Sequence, residues 1–155
     1  MIRVYLDVCC LNRPFNDQTQ DRIRLETAAV LTVLERIGYG ELLNVGSTTI
    51  QAEIDRNRDR ELRIALQQLA DTATEYVVVG EEQVERANDL QGLGFHFFDA
   101  LHVACAESGG ADVLLTTDNR LLRLALRVST KLTVRLANPA DWLMEILQDD
   151  QRNDG

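Results

Sequence analysis

Apolar residues along this chain gather into two kinds of segment. Short continuous runs, IRVYL at 2–6, ELLNVGS at 41–47, EYVVVG at 75–80, ADVLLTTD at 111–118 and KLTVRL at 131–136, are rich in branched aliphatics and bounded by polar or glycine positions. These predict strands. Between them the apolar positions recur every three or four residues. Over 21–38, Ile23, Val30, Leu31, Leu34 and Ile37 share one helical face, and Gly38 and Gly40 supply the stop. Further helices are predicted over about 49–59, capped by Ser47 or Thr48, through Leu62–Leu69, over 81–91, over about 98–109 ending at Gly109-Gly110, over 119–128, and after Asn138-Pro139.

Strands that alternate with helices, with no Asn-Gly or Asp-Gly joining two of them, predict an α/β domain with a parallel sheet covered by helices on both faces. One domain over 1–148 is expected, with the polar residues 149–155 as an unstructured tail.

Composition narrows the function classes. A chain of 155 residues with 45% hydrophobic content can bury a core without disulfides. Cys9, Cys10 and Cys105 make no CxxC or other metal spacing and suit a reducing cytoplasm. The start MIRVYLD carries too short an apolar run for a signal peptide or a transmembrane span. A net charge of −9 excludes a protein that coats nucleic acid through bulk positive charge, so a phosphate-bearing substrate must be held by a local basic patch or by metal.

In an open parallel sheet, ligands bind beyond the carboxyl ends of the strands. Asp7 ends the first strand, and Asp118 ends VLLTT. Glu53 lies beside the buried stripe of its helix, and Asp99 follows Phe97-Phe98 and opens the apolar stretch ALHVACA. Each also has a structural reading: Asp99 and Asp118 are placed to cap helices, Asp7 to cap a short turn, and Glu53 to sit at a wet boundary. His96 and His102 show no paired spacing with cysteine or each other and read as helix or loop residues rather than ligands. Arg56, Arg60 and Arg63 would share a face if 49–69 were nearly continuous helix, and Arg120, Arg123 and Arg127 form a second stripe just past Asp118.

Other acid or cysteine chemistries fail on spacing. An aspartyl-phosphate phosphatase needs an acid two residues after Asp7, where Cys9 stands. A phosphate-loop cysteine phosphatase needs an arginine six residues after Cys9 or Cys10, and the glycines at 38, 40, 92 and 94 lack the third member of a dinucleotide-binding loop.

Taken together and in order, YLD at 5–7, Glu53 in STTIQAEI, FFDALHVACAE at 97–107, ADVLLTTDNRLL at 111–122 and NPADWL at 138–143 resemble the PIN-domain ribonucleases. The segment around Asp99 and the Thr116-Thr117-Asp118 turn are the most specific parts. The resemblance implies a three-layer α/β/α fold around a mainly parallel sheet. It also implies an acidic cluster of Asp7, Glu53, Asp99 and Asp118 that binds Mg²⁺ or Mn²⁺, with Thr116 as a supporting hydroxyl. The implied reaction is hydrolysis of RNA by an activated water, leaving 5′-phosphate and 3′-hydroxyl ends. VapC-like members are toxins held silent by an antitoxin protein, and small PIN domains often form homodimers. The first motif, DVCCLNRPF, departs from the family by placing Val8, Cys9 and Cys10 where many members carry small polar residues. Asn12, Arg13, Arg120 and Arg123 are the expected substrate contacts. The competing expectation is a PIN fold that serves as a protein-interaction or RNA-binding module with little hydrolysis.

Overall fold

The computed structural model describes residues 1–154. Five strands, β1 (Ile2–Leu6), β2 (Leu42–Ser47), β3 (Glu75–Val77), β4 (Val113–Leu115) and β5 (Arg135–Ala137), form one sheet in the order β3-β2-β1-β4-β5. Every pairing is parallel, so the expected mainly parallel sheet is wholly so among the described residues. Among the described residues eight α-helices connect and flank it: α1 (Val8–Asn12), α2 (Asp21–Gly38), α3 (Thr48–Asp55), α4 (Arg60–Ala70), α5 (Glu81–Gly92), α6 (Phe97–Ser108), α7 (Asn119–Arg127) and α8 (Pro139–Asp154). This is the three-layer α/β/α arrangement.

Successive strand residues point to opposite faces, so a strand buried at every consecutive position must be covered on both. Val4, Tyr5 and Leu6 in β1 and Val113, Leu114 and Leu115 in β4 are all at most 1% exposed. α2 packs with α8, and α5 with α6.

Chain order runs outward from β1 through β2 to β3, then returns across the sheet to β4 and β5. The order therefore reverses between β1 and β4, the position beyond whose strand ends open α/β sheets take their ligands. Asp7 and the Thr116-Thr117-Asp118 turn stand there, joined by Asp7 N–H donating to the Leu115 carbonyl at 3.0 Å.

Several elements differ from the sequence expectation. The last strand is shorter than 131–136 and lies later: Ser129–Lys131 form a 3₁₀ turn, and the Thr133 amide donates to Glu107 Oε2 at 2.8 Å instead of joining a ladder. β3 stops at Val77, and the Val79 amide donates to Thr48 Oγ1. Residues 8–12, which carried no predicted helix, form α1. In α2, Val33 is buried and Leu31 is 48% exposed, which shifts the inward stripe. Helix does not run unbroken over 49–69: Asp59 starts α4 afresh, accepting from the Glu61 and Leu62 amides. Arg63 then donates to the Asn57 carbonyl, while Arg56 lies over the Phe98 ring at 4.2 Å, so the Arg56, Arg60 and Arg63 stripe is not one face. Residues 149–154 continue α8 rather than forming an unstructured tail, with Asp150 paired to Arg36 at 3.1 Å; Gly155 lies outside the described residues.

Gly109, at the carboxyl end of α6, packs directly on the sheet. A Cβ there would stand 2.7 Å from Val45 Cγ1 and 2.9 Å from Val77 Cγ2. Both valines belong to strands and have little room to retreat. Gly109→Ala is therefore expected to destabilise the protein by about 1–3 kcal/mol through overpacking. Urea unfolding would measure it, and a stability equal to the parent's would show that this helix end is not in tight contact.

Candidate metal centre

Asp7 leaves β1 at the reversal point and is 8% exposed. Its Oδ2 accepts from Thr116 Oγ1 at 2.8 Å and from the Cys9 thiol at 3.3 Å. The Thr116 hydroxyl also accepts the Asp118 amide at 3.2 Å, so one side chain couples the end of β1 to the turn after β4. The Thr117 amide donates to Cys9 Sγ at 3.3 Å. Cys9, which departs from the small polar residue usual there, serves as a bridge in the same turn.

Glu53 reaches the site from α3 and meets His102 on α6, whose Nε2 is 2.6 Å from Glu53 Oε1 and 3.8 Å from Asp7 Oδ1. One donor atom from each of Asp7, Glu53 and His102 lies within 4.8 Å of the others, close enough to share a cation. His102 is 1% exposed and belongs to a buried chain: Tyr5 Oη is 2.7 Å from His102 Nδ1 and 2.7 Å from Ser47 Oγ, and Ser47 accepts the Ile50 amide at 3.1 Å. With a neutral ring, one direction satisfies every member. Ser47 donates to Tyr5, Tyr5 to Nδ1, and Nε2–H to Glu53.

His102 is a helix residue, as expected, and its ring also closes this buried chain beside Asp7 and Glu53. The available signal was its position three residues after Asp99 on one helix, which puts both on the same face. His96 sits at the exposed start of α6, away from this chain of bonds.

His96, not Asp99, is the N-cap of α6, and among the described residues the Asp99 carboxylate accepts from Arg120 and from no helix amide. Asp99 Oδ2 stands 2.9 Å from Arg120 Nη2. Burial raises its pKa above the ordinary carboxyl value, the charges of Asp7 and Asp118 add to this, and Arg120 opposes it. Asp118 does cap α7, with Oδ1 accepting from the Arg120 and Leu121 amides at 3.0 and 3.2 Å. Its Oδ2 accepts no hydrogen bond among the described residues, so capping leaves one oxygen for a cation.

The expected substrate contacts fare unevenly. Arg13 is not a free surface cation: its Nε donates to buried Glu26 at 3.0 Å and its Nη1 to Asn16 at 2.8 Å, because Glu26 needs a counter-ion. Asn12 ends α1, partly buried, five residues past Asp7. Arg120 is committed to Asp99. Arg123, one turn on, is exposed.

The PIN domain family model matches residues 4–126. The chain belongs to the PIN domain family. No curated protein matches it in sequence. Among solved structures, this PIN chain is similar to a chain of VapBC2 from Rickettsia felis, determined bound to a DNA fragment from their promoter, with TM-score 0.59 and 14% identity over 88% of this chain and 98% of that one. It is similar also to a chain of VapBC-1 from nontypeable Haemophilus influenzae, with TM-score 0.53 and 18% identity over 89% and 98% of the two chains. At these identities the likeness is one of fold.

The PIN site carries a pH signature. Burial disfavours a charged His102, but the Glu53 hydrogen bond and the charges of Asp7, Glu53 and Asp99 outweigh it, and its pKa rises above the ordinary 6.5. A group whose folded pKa is raised contributes stability that is complete below its unfolded pKa and is lost as pH climbs through the folded value. Metal-free protein in EDTA is therefore expected to lose stability from about pH 6.5 upward relative to His102→Gln. Thermal melts of the two across pH test this, and parallel curves would contradict the raised imidazole pKa.

Proposed function

We propose that the chain is a metal-dependent endoribonuclease in which Asp7, Glu53, Asp99 and Asp118 hold Mg²⁺ or Mn²⁺. The observation that supports this reading is that donor atoms of Asp7, Glu53 and His102 lie within 4.8 Å of one another, beside an Asp99 whose pKa is raised by burial and by the charges of Asp7 and Asp118. Oxygen donors in that number suit a hard dication, which neutralises them and keeps water in its own shell. Such an ion, when bound, makes water acidic enough to attack a phosphodiester and stabilises charge on the phosphoryl oxygens.

The chain's own residues orient this chemistry. Thr116 holds Asp7, His102 holds Glu53, and the α7 backbone amides hold Asp118. No serine, cysteine or histidine nucleophile is needed. Arg123 is an exposed cation on α7 for an RNA phosphate, with Asn12 at the end of α1 as a further contact. Arg120 balances Asp99. The VapBC assemblies that the fold resembles support a toxin whose partner is an antitoxin protein; a homodimer and a cytoplasmic location complete the proposal.

Incubation with single-stranded RNA is expected to give cleavage with Mn²⁺ and none with EDTA. Asp7→Asn and Asp118→Asn should each abolish cleavage. Asn caps a helix about as well as Asp, so metal-free Asp118→Asn should melt no lower than the parent. Saturating Mn²⁺ should stabilise the parent by about 2.7 kcal/mol at a hundredfold excess over Kd and the variants much less. Full activity and an undiminished metal-induced shift in both variants would defeat the proposal.

A further inference from the structure

Glu26 is the buried carboxylate that the metal chemistry leaves unused. It stands on the inward face of α2, three residues after Ile23 and four before Val30, with its side chain 3% exposed. A carboxylate so far from water needs partners. Oε1 accepts from Arg13 Nε at 3.0 Å, and Oε2 accepts from Asn138 Nδ2 at 2.5 Å and Arg22 Nε at 3.4 Å.

The two arginines differ. Arg13 is 17% exposed and neutralises Glu26 from within, whereas Arg22 is 51% exposed and adds a surplus positive charge. Its Nη2 donates to the Thr117 carbonyl at 2.6 Å and to Asn119 Oδ1 at 3.2 Å. Those two residues flank Asp118. Arg22 Nη1 has no partner among the described residues. One guanidinium edge is therefore pinned beside a candidate metal ligand, and the rest faces solvent.

We propose that Arg22 is a phosphate-contacting residue of the RNA site, set in place by buried Glu26. This rests on the nuclease reading and extends it to a residue outside the acidic cluster. A polyanion approaching a chain of net charge −9, at the edge where four carboxylates gather, needs a cation there. Arg120 is already paired with Asp99. A guanidinium fixed by Glu26 and the Thr117 carbonyl loses little side-chain freedom on binding, and its free Nη1 keeps two N–H donors for a phosphate oxygen.

The test uses the full chain as parent, Arg22→Gln and Arg22→Lys. Affinity for a fluorescent single-stranded RNA is measured in EDTA across salt concentrations, cleavage kinetics with Mn²⁺, and thermal melts of all three. Arg22→Gln is expected to reduce the slope of log affinity against log salt by about 0.7, one phosphate contact on a single strand, and to raise KM more than it lowers kcat. Arg22→Lys should keep the slope because it keeps the charge. The melts report the Thr117 brace separately. An Arg22→Gln protein that melts lower but has the parent's salt slope and KM would overturn the proposal and leave Arg22 as a brace only. A parent that fails to cleave RNA with Mn²⁺ would overturn the nuclease reading and this inference with it.

Discussion

Like-charge crowding at one edge of a parallel sheet is the constraint to which the rest of this structure answers. Asp7, Glu53, Asp99 and Asp118 come from four elements, and burial first, then the charges of Asp7 and Asp118, raise the pKa of Asp99. Negative charges brought together out of water disfavour one another, so each must be held by a neighbour or neutralised by a cation. Each acid has such a holder: Thr116 for Asp7, His102 for Glu53, Arg120 for Asp99 and two helix amides for Asp118.

That holding is possible because the sheet beneath is stiff. Val4–Leu6 of β1 and all of β4 are buried, and their parallel register places Leu6 opposite Leu115, which brings Asp7 level with Thr116. Behind Glu53, the bonds from Ser47 through Tyr5 to His102 run through the core. Among the described residues no buried side-chain polar atom lacks a partner. A network satisfied in this way fixes the orientation of its outermost member, and here that member is Glu53.

The similarity to the VapBC chains lies at 14% and 18% identity, so what it shows is the fold. A fold alone does not determine an activity. For this chain the functional proposal draws on the site itself: the oxygen-rich donor set, its place at the strand-order reversal, and a second polar network centred on Glu26 that reaches the residues on both sides of Asp118.

The sequence by itself determined the alternation of strands and helices, the parallel sheet, and the location of Asp7 and Asp118 at strand ends. These follow from local periodicity, which the chain carries wherever it folds. The resemblance added Glu53, Asp99 and Thr116 as expected members of one cluster. It did not single out His102 or Glu26, since a histidine in ALHVACA and an acid inside an apolar stripe read locally as ordinary helix positions. Only the tertiary structure set His102 between Glu53 and Asp7, turned Arg13 inward to Glu26, and tied Arg120 to Asp99. Element ends at β3 and β5 were decided there too, by the Val79 amide bonding Thr48 and the Thr133 amide bonding Glu107. Periodicity reports which face of an element is buried; which charge meets which depends on contacts between residues up to 114 positions apart, and those exist only once the sheet has assembled.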